Sequence, residues 1–185
     1  MNTQSTLRFG GIAAIISALL YVASMVLWMG AGDTGAPPPL AAATYAASSI
    51  VFLVTLWSLY VLHRGESSAL SLAALLLLGI SMVASLFIDP TDVGNPAVIA
   101  LTTCYGLGAL ALGWLAWRSP RLPRGVGILA GLMGVLSLAM LVPMATGAAD
   151  LVGIANLVVG LLYVVWLLWL GWIFVKGSAG QMQPA

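Results

Sequence analysis

Apolar residues arrive in six long runs, separated by short polar stretches. Each run holds about 20 residues, the length an α-helix needs to cross the hydrocarbon core of a bilayer at about 1.5 Å per residue. The runs predict helices over residues 7–29, 40–62, 69–88, 96–117, 125–145 and 150–175. They are continuous rather than alternating, which argues against the strands of a lipid-facing barrel. The predicted fold is therefore all-α: a polytopic transmembrane bundle of six helices forming a single domain over residues 1–185. The first run is read as a retained helix and not as a cleaved signal, because it is long enough to span.

The breaks between runs carry turn chemistry. Residues 30–39 include Asp33, Gly35 and the successive prolines Pro37, Pro38 and Pro39. Residues 63–68 are short and polar, and Asp89-Pro90-Thr91-Asp92-Val93-Gly94-Asn95-Pro96 is the clearest loop. Residues 118–124 are basic and contain Pro120 and Pro123. The break at 147–150 is the shortest, so the last two spans should form a tight hairpin, and Pro143 should end or kink the fifth.

Charge orients these spans. Arg8, Arg64, Arg118, Arg121, Arg124 and Lys176 all fall at alternate breaks and the two ends, whereas Asp33, Asp89, Asp92 and Asp150 fall at the other three breaks. Glu66, beside Arg64, is the exception. Short basic loops stay in the cytoplasm, so both termini are expected there. A count of five or seven spans would scatter the arginines over both sides.

Composition agrees. Hydrophobic residues make up 62% of the 185 and charged residues only 6%, against about a quarter charged in soluble domains. Six basic residues cannot build a phosphate-binding stripe, so nucleic acid is an improbable partner. Cys104 is the only cysteine and excludes a disulfide scaffold.

Chemistry is sparse. No acid or base lies in the middle of a span, which counts against an ion-driven pump, and the hydrolase and nucleotide-binding motifs are missing. Serines within spans are expected to bond back to the carbonyl four residues earlier. His63, at a helix end beside Arg64, is read as a solvated interfacial group. Asp89 and Asp92, with Asp33 and Asp150 in the other outer loops, form the one set that could bind a hard cation. Asn156 is the most polar group expected inside a span, as interhelical glue or as part of a ligand cavity. Tyr163, Trp166, Trp169 and Trp172 recur every three residues along the last helix, a spacing read as one side of it. The stripe is read as lipid-facing or as packing; in the alternative, Tyr163, Trp166 and Trp169 with Asn156 line a site for a flat apolar ligand such as a quinone, carotenoid or lipid tail. Small residues mark close helix packing in membranes: Gly127, Gly131 and Gly134 in the fifth span, Ala109 and Gly113 in the fourth.

The stretch Leu112-Gly113-Trp114-Leu115-Ala116-Trp117-Arg118-Ser119-Pro120-Arg121-Leu122-Pro123-Arg124, followed by a glycine-rich helix and a last helix ending Trp172-Ile173-Phe174-Val175-Lys176-Gly177, resembles a group of small bacterial integral membrane proteins of unknown function. The likeness covers about two fifths of the chain, residues 106–177. This chain departs from those proteins in being shorter between its middle helices. The resemblance implies a multi-pass protein of the bacterial inner membrane and brings no activity or functional residue with it. From the residues themselves, the expected role is an accessory, scaffolding or lipid-binding membrane subunit, with lipids, a membrane protein or a second copy as partner. A small carrier of an uncharged or apolar solute and a membrane enzyme with an outer carboxylate metal site are the alternatives. The sequence specifies no cofactor.

Overall fold

The computed structural model describes residues 3–30, 38–88 and 92–176. Among them every regular element is helical: α1 (Thr3–Gly30), α2 (Pro39–His63), α3 (Ser68–Ala84), α4 (Pro96–Arg118), α5 (Arg124–Ala139), α6 (Leu141–Ala145) and α7 (Ala149–Lys176). Five stretches are long and apolar enough to cross a membrane, namely α1, α2, α4, α5 together with α6, and α7.

Two predicted spans differ from the structure for visible reasons. The third, expected over 69–88, is helical only to Ala84 and has 17 residues, about 25 Å of helix. Ser85 stops it. Its hydroxyl donates to the Met82 carbonyl and also meets the Tyr45 hydroxyl, so side-chain bonds replace the helical ladder. The fifth span is interrupted at Met140, because Pro143 has no N–H to return to the carbonyl of Ala139. It still reaches Ala145, the predicted end. Gly147 then turns the chain into α7 with φ of 71°, a conformation that favours glycine.

The helices pack as a ring in chain order: α1 on α2, α2 on α3, α3 on α4, α4 on α5, α5 on α7, and α7 back on α1. Aromatic rings fill the middle. Phe52 meets Tyr163 and Trp166 edge-on, with centroids 5.3 and 6.4 Å apart, and Tyr163 meets Tyr21 at 5.2 Å. The indole N–H of Trp166 donates to the Val126 carbonyl at 3.0 Å, so this buried ring has its partner. The outer surface is aliphatic, with Ile16, Leu19, Ile50, Leu76, Ile128 and Ile154 all exposed.

Two kinds of contact hold neighbouring helices. Between α1 and α2 they are hydroxyl-to-carbonyl bonds. Thr55 donates to Gly10 at 3.2 Å, Ser48 to Ser17 at 2.9 Å with Ser17 returning to Ser48 at 3.1 Å, and Ser24 to Ala41 at 2.9 Å. Positions 10, 17 and 24 thus face 55, 48 and 41, a heptad step on each helix and the register of a left-handed antiparallel pair. The single hydroxyl hydrogen of Ser58 is shared between the Val54 carbonyl of its own helix and the Thr6 carbonyl across, each 3.0 Å away. Ser137 keeps the local bond to Met133, as expected. Ser17, Ser24 and Ser81 instead bond to other helices.

Between α4 and α5 the contact is backbone on backbone. A Cβ on Gly113 would stand 2.6 Å from the Gly131 nitrogen and 2.9 Å from the Gly127 oxygen; one on Gly134 would stand 2.8 Å from the Gly106 oxygen; one on Gly127 would strike the backbone of Trp117. Ala109 is buried in the same seam. Gly131 is different, since a Cβ there would meet nothing within 4 Å. It lends its backbone to Gly113 while its own missing side chain points into open space. Gly11 and Gly171 make a similar crossing between α1 and α7, where a Cβ on either would stand 2.9 or 2.8 Å from the other's carbonyl oxygen.

This geometry separates the three glycines of α5. Gly127→Ala and Gly134→Ala should each lower stability by about 1–3 kcal/mol through overpacking. Gly131→Ala should be neutral, or stabilising by up to about 1 kcal/mol from helix propensity. Thermal unfolding in detergent measures all three, and equal losses would contradict the assignment of faces.

Candidate functional site at the basic end of the bundle

The start of α1, the end of α2, the end of α4, the start of α5 and the end of α7 lie together at one end. Gly11 packs on Phe174, Gly10 on Ser58, Gly125 on Trp169 and Gly127 on Trp117. Arg8, Arg64, Arg118, Arg121, Arg124 and Lys176 therefore share that end, and Asp92 and Asp150 stand at the other.

Here the α2–α3 and α4–α5 loops are tied by a polar cluster. The chain turns after α2 so that the amides of Glu66 and Ser67 donate to the His63 carbonyl. That turn folds the Glu66 carboxylate back onto the imidazole, with His63 Nδ1 3.1 Å from Glu66 Oε2. After α4 the backbone extends at Ser119, whose buried hydroxyl donates to Glu66 Oε1 at 2.7 Å. Arg121 completes the tie. Its Nη1 donates at 2.8 Å to the Leu62 carbonyl, one of the last carbonyls of α2, and its Nε lies 4.0 Å from Glu66 Oε1.

His63 is fully buried, contrary to its reading as a solvated group. Its Nε2 has no hydrogen-bond partner. With Nδ1–H donating to the carboxylate, Nε2 is left as an acceptor. His63 also borders a cavity of about 10 Å³, with Tyr60, Ser71 and a surround of leucines. That is the space of one water molecule. A serine, a glutamate and a histidine in contact suggest nucleophilic catalysis, but their order does not provide it. Ser119 and His63 both bind the carboxylate, so the imidazole does not act on the hydroxyl. The cluster works as a clasp between loops.

Next to the clasp, on the outside of the bundle, lies an open groove of about 370 Å³ between the start of α3 and the end of α4. Glu66, Ser67, Leu70, Trp114, Leu115 and Arg118 line it. The Arg118 guanidinium sits 5.4 Å above the Trp114 ring.

The residues singled out in the sequence do not converge. Asn156 is exposed on the outer surface of α7 and so is not glue inside the ring. Tyr163 and Trp166 are buried against other rings, whereas Trp169 and Trp172 are exposed. The reason is angular. A step of three residues falls about 60° short of a full turn at 3.6 residues per turn, so nine residues carry a side chain to the opposite face. The four aromatics therefore spiral and do not form one wall. Trp169 covers Gly125 and Trp172 carries Lys176, whose Nζ is 4.0 Å from its ring centroid. Asp92 is exposed, and Asp150 stands in the first turn of α7, where helix amides favour an acid. Asp33 and Asp89 lie outside the described residues. Among those described, no group of three metal-binding side chains comes together. Cys104 is partly buried in α4.

No protein-family model, curated protein or solved structure matches this chain. Its class is thus given by its own geometry: among the described residues it is all-helical, with five helical stretches long and apolar enough to cross a membrane.

The clasp can be tested by coupling. Glu66→Ala should cost about 1–3 kcal/mol, the range for stranding buried partners. In a His63→Phe background the same change should cost clearly less, because the imidazole no longer needs the carboxylate. Unfolding measured over this double-mutant cycle gives the coupling, and strictly additive losses would mean that His63 and Glu66 do not act together.

Proposed function

We propose that the chain is a six-span protein of the bacterial inner membrane, as its resemblance to small bacterial membrane proteins suggests. In this reading α3 is the sixth span, short for a bilayer but free of charged residues, and both termini are cytoplasmic. The gathering of Arg8, Arg64, Arg118, Arg121, Arg124 and Lys176 at one end supports that orientation. A reporter fused after Ala185 should then be active only if it works in the cytoplasm, and one inserted beside Asp150 only if it works outside. The opposite pattern would overturn the orientation.

Its role is that of an accessory or scaffolding subunit that works through its outer surface, toward lipid or a partner protein. The observation behind this is a ring closed on itself. Hydroxyls of α1 and α2 bond the two helices together, its centre is filled with rings, and the cavity at His63 holds one water at most. A carrier of an apolar or uncharged solute would need a path between helices, and Asn156, the amide read as part of a ligand cavity, is exposed. The outer-metal enzyme reading depends on Asp89 and gains no support from Asp92 or Asp150. Extraction in a mild detergent, with mass spectrometry of what co-purifies, is the test. A stoichiometric protein or a retained lipid is the expected result. Solute flux in proteoliposomes of the pure chain would overturn the scaffold reading.

A further inference from the structure

The groove between α3 and α4 has a graded lining. Ser67 and Arg118 stand at its basic end, and both helices run from there toward the middle of the bundle. Leu70 is the next turn of α3, and Trp114 and Leu115 are the preceding turn of α4. The lining thus passes from polar to apolar along the helix axes. A phospholipid in a bilayer has the same gradient, with its phosphate at the surface and its chain directed inward.

Charge decides which headgroup fits. Glu66 is the one acid in the lining, and its carboxylate is already engaged by His63, Ser119 and Arg121. Among the described residues Arg118 has no carboxylate within ion-pair distance; it lies exposed over Trp114. The amides of Ser68 and Ala69 belong to the first turn of α3, where no intrahelical carbonyl is available to them. The uncompensated charge in the groove is therefore positive, and Ser67, the N-cap of α3 whose hydroxyl also lines the groove, leads into those amides. Its volume of about 370 Å³ falls within the range of small-ligand sites.

We propose that this groove binds one anionic phospholipid. The phosphate meets Arg118, the Ser67 hydroxyl and the first amides of α3, and an acyl chain lies along Leu70, Trp114 and Leu115. This rests on the membrane reading above and names the lipid class and the place. It differs from a general attraction of the arginine loop for acidic membranes, which would make Arg124 as important as Arg118.

The test uses the full-length chain in nanodiscs of equal phosphatidylglycerol and phosphatidylcholine with matched acyl chains. Retained lipid is counted by native mass spectrometry after transfer to detergent. The wild type should keep one phosphatidylglycerol in preference to phosphatidylcholine. Arg118→Gln should lower that retention about fivefold, the equivalent of roughly 1 kcal/mol per arginine at a membrane surface. Leu70→Trp, which fills the groove without changing charge, should lower it as well, while Arg124→Gln stays within about twofold of wild type. Circular dichroism should show all variants folded. Equal losses in Arg118→Gln and Arg124→Gln, or full retention in Leu70→Trp, would overturn the site. Displacement of the lipid by inorganic phosphate alone would make it a small-anion site and overturn the lipid assignment. A folded wild type that inserts but retains both lipids alike refutes this site only, whereas failure to insert refutes the membrane reading itself.

Discussion

Close approach of helix backbones is the contact on which the rest of this structure depends. In a lipid environment two apolar helices gain little from leaving the hydrocarbon, which is as apolar as they are. Attraction must come from van der Waals contact and from polar bonds between helices. Both need short distances, and short distances need small side chains at the crossing. Gly113 and Gly127, Gly106 and Gly134, and Gly11 and Gly171 supply them. The serines of α1 and α2 serve the same end, since a hydroxyl on Cβ reaches a neighbouring carbonyl only when the helices are close. Each such bond contributes on average about 0.6 kcal/mol in a membrane. The repeated register at 10, 17 and 24 therefore matters more than any single pair.

The clasp at the basic end is the counterpart of this seam outside the spans. α2 ends without a glycine cap, so its last carbonyls need donors from elsewhere. Arg121 supplies one from the α4–α5 loop, and Glu66 holds that loop in place through Ser119. Arg121, one of the residues that make the loop basic, thus also fastens it to α2. Arg121 is engaged in this way. Arg118, three residues before it, has its guanidinium over an exposed indole. The division of labour within one short loop is what leaves a positive charge available at the groove.

How much of this the sequence reveals follows the range of the interactions. Spans are local, because twenty apolar residues make a helix whatever lies beside them, and the predicted boundaries fall within four residues of the helix ends, the largest differences being at the start of α1 and the end of α3. There a single hydroxyl, Ser85, finds partners that hydropathy does not register. The α4–α5 seam was also legible in Gly113, Gly127 and Gly134, although the face of Gly131 was not, since a glycine does not announce which side of it is crowded. The last helix misled because a spacing of three looks like one face over a single turn and becomes a spiral over three turns. His63 misled for a different reason. Whether a histidine at a helix end is wet or buried depends on Ser119 and Arg121, which are more than 50 residues away and bind the carboxylate beside it.

The histidine that stands alone in the sequence thus joins a polar group centred on Glu66, which also meets Ser119 and Arg121, and its imidazole borders a space of one water molecule. A well-packed apolar residue at position 63 would fill the same space without leaving a buried acceptor unbonded, and buried polar groups of this kind cost about 1–3 kcal/mol. A histidine there has to be accounted for by what it holds. Through Nδ1 it fixes Glu66, and Glu66 in turn is kept away from Arg118. Ser119 and Arg121 hold the same carboxylate from the α4–α5 loop. The buried histidine and the exposed arginine are in this sense one arrangement: the first engages the acid so that the second remains available to an anion.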